Sequence, residues 1–196
     1  MRFITLPIVL VGTISLATGL SIAQDTWLAD PGRGVGPLVL GMPQQDVIAL
    51  IGQPSSISDI SMGQYLLGKT FRYNALGLNV EYGIDPLAPD SNRDFRLVTR
   101  IDVWGLTMRT RGNISNGSSG LADVVRVFGD SSQFTGDGSA LRQCVFTQVL
   151  QDSSTGDVSL VLNYLQQGIV FYFSSVGRLR RMIIQRVTQC MSVLSK

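Results

Sequence analysis

Two stretches of this chain spell one pattern twice, in the same order, and that doubling limits its fold more than any other feature. Gly41-Met42-Pro43-Gln44-Gln45-Asp46-Val47-Ile48-Ala49-Leu50-Ile51-Gly52 returns, with one extra residue, as Gly117-Ser118-Ser119-Gly120-Leu121-Ala122-Asp123-Val124-Val125-Arg126-Val127-Phe128-Gly129. From the Asp-Val pair to the closing glycine the spacing is the same in both. Further on, Tyr73-Asn74-Ala75-Leu76-Gly77-Leu78-Asn79-Val80-Glu81-Tyr82 aligns without gaps to Tyr164-Leu165-Gln166-Gln167-Gly168-Ile169-Val170-Phe171-Tyr172-Phe173. Two anchors in one order predict two copies of one structural unit.

Each copy reads as a short helix followed by antiparallel strands. Val47, Leu50 and Ile51, like Val124, Val127 and Phe128, recur at i, i+3 and i+4, which makes one apolar stripe facing a core. Pro43 suits the first helical turn, and Gly52 and Gly129 suit the left-handed residue that ends a helix. Leu78, Val80 and Tyr82 alternate with Asn79 and Glu81, and Ile169, Phe171 and Phe173 take the matching positions. Leu97 to Trp104 and Arg178 to Val187 are the closing strands. Asp85 to Asn92 is a loop of copy one, and copy two adds a hairpin of Gln143–Leu150 and Val158–Tyr164 around Asp152 to Asp157.

Charge usage supports strands and turns. The sixteen cations are fourteen Arg and two Lys, and the fourteen anions are thirteen Asp with Glu81 as the sole glutamate, so helix-favouring Lys and Glu are nearly absent. The predicted class is α+β: two tandem repeats, each a short helical segment packed on an antiparallel β-sheet, with repeat 1 over 36–104 and repeat 2 over 105–196. One sheet face is covered by helices and the other is open.

The N-terminal stretch reads as a secretory signal. Arg2 is followed by an apolar run to Ala23, and Ser21-Ile22-Ala23 puts small residues at the minus-three and minus-one positions before Gln24. Residues 1–23 are assigned to the signal and 24–35, with its glycine cluster Gly32-Arg33-Gly34-Val35-Gly36, to a flexible N-terminal segment. An uncleaved anchor is the competing reading, because the run is long enough to span a bilayer. The expectation is a secreted or periplasmic protein with no stable membrane insertion once the signal is removed. There Cys144 and Cys190 meet an oxidising compartment, where a disulfide between them would remove about 3–4 kcal/mol of unfolded-state freedom.

A family resemblance follows from the repeat. Leu38-Val39-Leu40-Gly41-Met42, then Asp46-Val47, Leu50, Gly52 and Pro54, with a later Tyr73 and an apolar strand from Gly77, resembles the tandem-repeat β-lactamase inhibitory protein fold. It is also similar to the SmpA/OmlA (BamE) group of outer-membrane assembly lipoproteins, which contain one such unit. The resemblance implies short helices on an antiparallel sheet and a function of protein binding. Copy two departs from the pattern at Gly117-Ser118-Ser119, and the lipid-bearing cysteine of the assembly lipoproteins is absent. No partner-binding residue is carried over.

Catalytic chemistry has little to build on. The chain has no histidine, which removes the commonest general base and metal ligand. Gly63-Gln64-Tyr65-Leu66-Leu67-Gly68-Lys69-Thr70 fits the phosphate-loop expression, but its bulky interior runs into a strand rather than opening a helix. Asp130 to Asp137 and Asp152 to Asp157 lack the dense ligand set of a calcium loop and read as solvated turns. Asp46 and Asp123 stand in first helical turns, where they compensate the dipole. No catalytic, cofactor-binding or metal-ligating residue is therefore assigned, and no cofactor is expected. A net charge of +2 does not support a nucleic-acid footprint.

The open sheet face carries the functional expectation. Alternation turns Glu81, Arg100, Asp102 and Trp104 outward in copy one, and Val170, Tyr172, Arg180, Met182 and Arg186 outward in copy two. Arg, Trp, Tyr and Met are enriched where proteins dock. The candidate protein-binding residues are Glu81, Arg100, Trp104, Tyr172, Arg180 and Arg186. The expected function is an exported, non-enzymatic protein-binding module, either enzyme inhibitor-like or an envelope-assembly accessory. A ligand carrier or a hydrolase on the same scaffold is the alternative.

Intact mass of the exported protein checks the processing. The expected mass lacks residues 1–23 and, without reductant, is lower by two hydrogens for a Cys144–Cys190 bridge. Retention of residues 1–23 contradicts cleavage, and two alkylatable thiols contradict the bridge.

Overall fold

A computed structural model describes residues 27–83, 95–105, 108–129, 145–151 and 158–187. In chain order the elements are β1 (Leu28–Asp30), β2 (Gly34–Val35), β3 (Leu38–Val39), α1 (Gln44–Ile51), β4 (Ser56–Met62), β5 (Tyr65–Tyr73), β6 (Leu78–Tyr82), β7 (Val98–Val103), β8 (Arg109–Thr110), α2 (Leu121–Phe128), β9 (Val145–Gln151), β10 (Val158–Tyr164), β11 (Ile169–Phe173) and β12 (Leu179–Gln185). Short 3-10 turns at Asn74–Leu76 and Leu165–Gln167 join β5 to β6 and β10 to β11. The fold is mixed α+β with strands predominating.

Eight strands make one sheet in the order β4-β5-β6-β7-β12-β11-β10-β9, and its neighbours are all antiparallel. The order follows from the connections. Strands consecutive in the chain pair with each other, so β4 to β7 and β9 to β12 each form a meander, and the two meet at their last strands, β7 and β12. There Ile101 faces Ile184 and Val103 faces Met182, all fully buried. One apolar row thus crosses the sheet through Phe71, Val80, Ile101, Ile184, Ile169 and Tyr164.

The helices lie on this apolar side, to which Val47 and Val124 contribute fully buried side chains. Their lead-in segments are clasped by the closing strands. Gly41 N–H donates to Val98 O and Val98 N–H to Met42 O, while Gly117 N–H donates to Leu179 O and Leu179 N–H to Ser119 O. Asp123 caps α2 by accepting the Gly120 N–H at 3.0 Å, which satisfies a donor left free at the lead-in. Gly52 and Gly129 end the helices at positive φ, 86° and 95°, but with ψ near 180° rather than in the left-handed helical region expected.

The remaining strands form a small sheet, β3-β2-β1-β8, in which β1 and β8 run parallel. It corrects the reading of 24–35 as flexible over its described part, 27–35. Trp27, Ala29 and Val35 are buried in the main core, so these apolar side chains order the segment despite its glycines. A second correction concerns the hairpins: β9–β10 is not an addition peculiar to copy two, because β4–β5 is its counterpart in the first half. Gly63 and Gln64 form the turn of that hairpin and Tyr65 to Thr70 are strand, so no helix follows the phosphate-loop-like sequence. Cys144, Cys190, the Asp130–Asp137 and Asp152–Asp157 turns and the Asp85–Asn92 loop lie outside the described residues.

Gly77 and Gly168 close the two 3-10 turns in the left-handed conformation, with φ of 65° and 71°. Each is also pressed against backbone. A Cβ on Gly77 would lie 2.4 Å from Gly105 Cα, and one on Gly168 would lie 2.4 Å from Gly32 Cα. Gly63 is left-handed too, with φ of 61°, but has open space around it. Gly63→Ala should therefore cost only the conformational penalty, about 1–2 kcal/mol. Gly77→Ala and Gly168→Ala should cost clearly more, read as larger falls in the urea midpoint. Equal losses at the three positions would contradict the close packing.

Candidate functional site

The face of the large sheet opposite α1 and α2 is assembled from every second residue of the central strands. Cross-strand register aligns Arg72, Asn79, Asp102, Ile183, Val170 and Asn163 in one row, and Glu81, Arg100 and Gln185 in the next. Two bulges shape it. Thr99 and Arg100 together oppose Glu81, and Arg180 and Arg181 together oppose Tyr172. Each bulge inserts one residue and so places two successive side chains of a strand against one of its neighbour.

The bulge in β12 accounts for where the expected residues stand. Glu81, Arg100, Asp102, Trp104, Val170 and Tyr172 are on the outer face as expected, and exposed Arg180 is the inserted residue. Beyond it the alternation shifts by one, so Met182, expected outward, is fully buried in the core and Arg181 and Ile183 take the outer positions. Arg186 shares the parity of Met182 and Ile184. It follows the end of β12, and its guanidinium points to Gly41 in the lead-in to α1, away from the face. Arg72 and Arg181 were missed by sequence reasoning. The Arg72 signal was its alternation with Phe71 and Tyr73 in β5; for Arg181 a bulge has no sequence marker here.

At the centre of the face Asp102 is 2% exposed, closed over by its partners. Arg181 Nε donates to Asp102 Oδ1 and Asn79 Nδ2 donates to Asp102 Oδ2 at 3.0 Å. Burial works against the Arg181 charge, but the hydrogen bond and attraction to Asp102 outweigh it and raise its pKa. The Arg181 guanidinium also stacks 5.1 Å from the centre of the Tyr172 ring. Beside this group Arg100 Nε lies 3.4 Å from Glu81 Oε2, an ion-pair distance without hydrogen-bond alignment. Burial pushes the Glu81 carboxyl above its ordinary pKa, with Arg100 opposing and Asp102 adding to the shift.

Arg72 and Trp104 form the other half of the centre. The guanidinium of Arg72 sits 5.3 Å from the Trp104 ring centre, and its Nε donates to Asn74 Oδ1 at 2.8 Å. On the far side Val161, Val170 and Ile183 make a small apolar cluster of their own, with Tyr172 and Leu165 packed on it. The face thus carries charged and aromatic groups from β5 across to β12, with an apolar patch of Val161, Val170 and Ile183 beside them. Among the described residues no group of three or more Cys, Asp and Glu converges as metal ligands, and no helix is long and apolar enough to cross a membrane.

No protein-family model and no curated protein matches the chain. Among solved structures it is similar to the uncharacterized protein YfeY from Escherichia coli, with a TM-score of 0.48 and 12% identity over 82% of this chain and 100% of that one. It is also similar to a DUF4309 family protein, YjgB, from Bacillus subtilis, with a TM-score of 0.38 and 12% identity over 74% of this chain and 78% of that one.

Because its folded pKa is raised, Glu81 holds its proton more tightly in the fold than in the unfolded chain. Its contribution to stability is full below the ordinary glutamate pKa and is lost as pH rises through the folded value. Relative to Glu81→Gln, the wild-type urea midpoint should fall across that window. A midpoint difference that does not change with pH would contradict it.

Proposed function

We propose that the chain is two copies of one helix-and-meander unit, and that it acts as an exported protein-binding module docking its partner on the helix-free sheet face. The observation that carries this reading is where the copies agree and where they differ. On the core side, Leu78, Val80 and Tyr82 match Ile169, Phe171 and Phe173, the glycines Gly77 and Gly168 match in conformation, and the bulges fall at the same step. On the outer side the copies part. Glu81 with Arg100 in one copy stands where Tyr172 with Arg181 stands in the other, and Asn79 with Asp102 where Val170 with Ile183 stands. The fold therefore does not dictate these outer residues, and the groups placed there are the Arg, Trp and Tyr that dominate binding energy at protein interfaces.

Inhibition of a secreted enzyme and support of envelope assembly are both compatible with such a face, and the resemblance to the inhibitory-protein and SmpA/OmlA (BamE) folds points the same way. The hydrolase alternative would find its carboxylates in Glu81 and Asp102. Each is held by its own arginine, and Asp102 is too buried to reach a substrate.

Affinity capture from the cell envelope tests the reading. Trp104→Ala and Tyr172→Ala should each lose a partner that wild type recovers, while Val176→Ser, at a turn residue 78% exposed, should keep it. Full recovery by both face variants, or no partner with wild type, would overturn it.

A further inference from the structure

Resting on that reading, we propose that Arg72, held on Trp104, is the anchor for a carboxylate of the partner, so that the partner presents an acidic side chain to this point. The face arginines of the central strands differ in how their charge is met. Arg100 has Glu81 at 3.4 Å and Arg181 has Asp102, but among the described residues Arg72 has no carboxylate. Its positive charge is exposed, and exposed Arg180 adds a second cation on the same face that has no ion pair among the described residues. Among the described residues, the face thus offers Arg72 and Arg180 without a carboxylate partner, while Glu81 and Asp102 are each paired with an arginine.

Arg72 is also pre-organised. Asn74 takes its Nε–H at 2.8 Å and the guanidinium lies over the Trp104 ring, two contacts that restrict the side chain, while its terminal N–H groups have no hydrogen-bond partner among the described residues. A fixed planar fork is the geometry that receives a carboxylate on two hydrogen bonds, and ordering it before binding reduces the entropy lost on docking. The fold does not require the trio. In the second copy the positions of Arg72, Asn74 and Trp104 hold Asn163, Leu165 and Gln185, and the same strands and the same 3-10 turn form.

Acetylated, amidated hexaglutamate is the probe, with hexaglutamine as its neutral isostere and inorganic phosphate as an unrelated anion, each titrated while the Trp104 indole and Arg72 side-chain N–H signals are followed by NMR. Hexaglutamate should move both signals saturably and hexaglutamine should not. Arg72→Gln should weaken that binding about tenfold or more, and Arg72→Lys should not restore it fully, since an ammonium lacks the fork. Hexaglutamate that leaves these signals still, binds Arg72→Gln as well as wild type, or binds no better than phosphate would overturn the proposal. If the peptide fails while envelope capture still depends on Trp104, only the carboxylate anchor falls. If capture is independent of Trp104, the docking reading falls with it.

Discussion

The antiparallel pairing of β7 with β12 is the interaction on which the rest of the structure depends. Without it each meander would end in a strand with a full row of unpaired N–H and C=O groups, and Ile101, Val103, Met182 and Ile184 would lose their cross-strand neighbours. The apolar row that receives Val47 from α1 and Val124 from α2 runs unbroken through this seam. The polar centre of the other face depends on it too, because Asp102 on β7 is satisfied by Arg181 on β12.

That ion pair is a poor source of net stability, since removing a carboxylate from water costs about what its attraction to a guanidinium returns. Its value lies in position. Held by Asp102 and Tyr172, Arg181 keeps one place on the face, and Arg72 is held likewise by Asn74 and Trp104. The two bulges make the arrangement possible, because each brings an additional side chain, Thr99 or Arg180, beside an arginine without disturbing the core row beneath. Core packing and the charged centre are thereby separated onto two sides of one sheet.

How much of this could be read from residues depended on the strength of local pattern. Alternation in Leu78–Tyr82 and Ile169–Phe173 located the covered face of the sheet correctly, because burial on one side imposes strict periodicity. The i, i+3, i+4 stripes of the helices were right at Val47, Ile51, Val124 and Phe128 but wrong at Leu50 and Val127, which are exposed while Ile48 and Val125 pack on the core instead. Strand β4 was missed because Ser56, Ser58, Asp59 and Ser61 on an exposed edge carry no apolar alternation. The strand at Leu28–Asp30 was hidden by neighbouring glycines that suggested flexibility, although Trp27 and Ala29 anchor it. On the candidate site, phase was right up to Arg180 and wrong after it, since a bulge shifts alternation by one residue; Met182 and Arg186 were misplaced for that reason alone. The partnerships of Asp102 could not be read from the chain, because its ligands come from strands distant in sequence.

The central claim is that one face of the sheet packs the fold while the other meets a partner. Hydroxyl-radical footprinting of the protein, alone and with any partner that envelope capture recovers, tests it at the level of side chains. Oxidation at Trp104 and Tyr172 should fall on partner binding, with no change at Leu50 and Val127 on the exposed sides of the helices. Protection of Leu50 and Val127 with Trp104 and Tyr172 unchanged would contradict it.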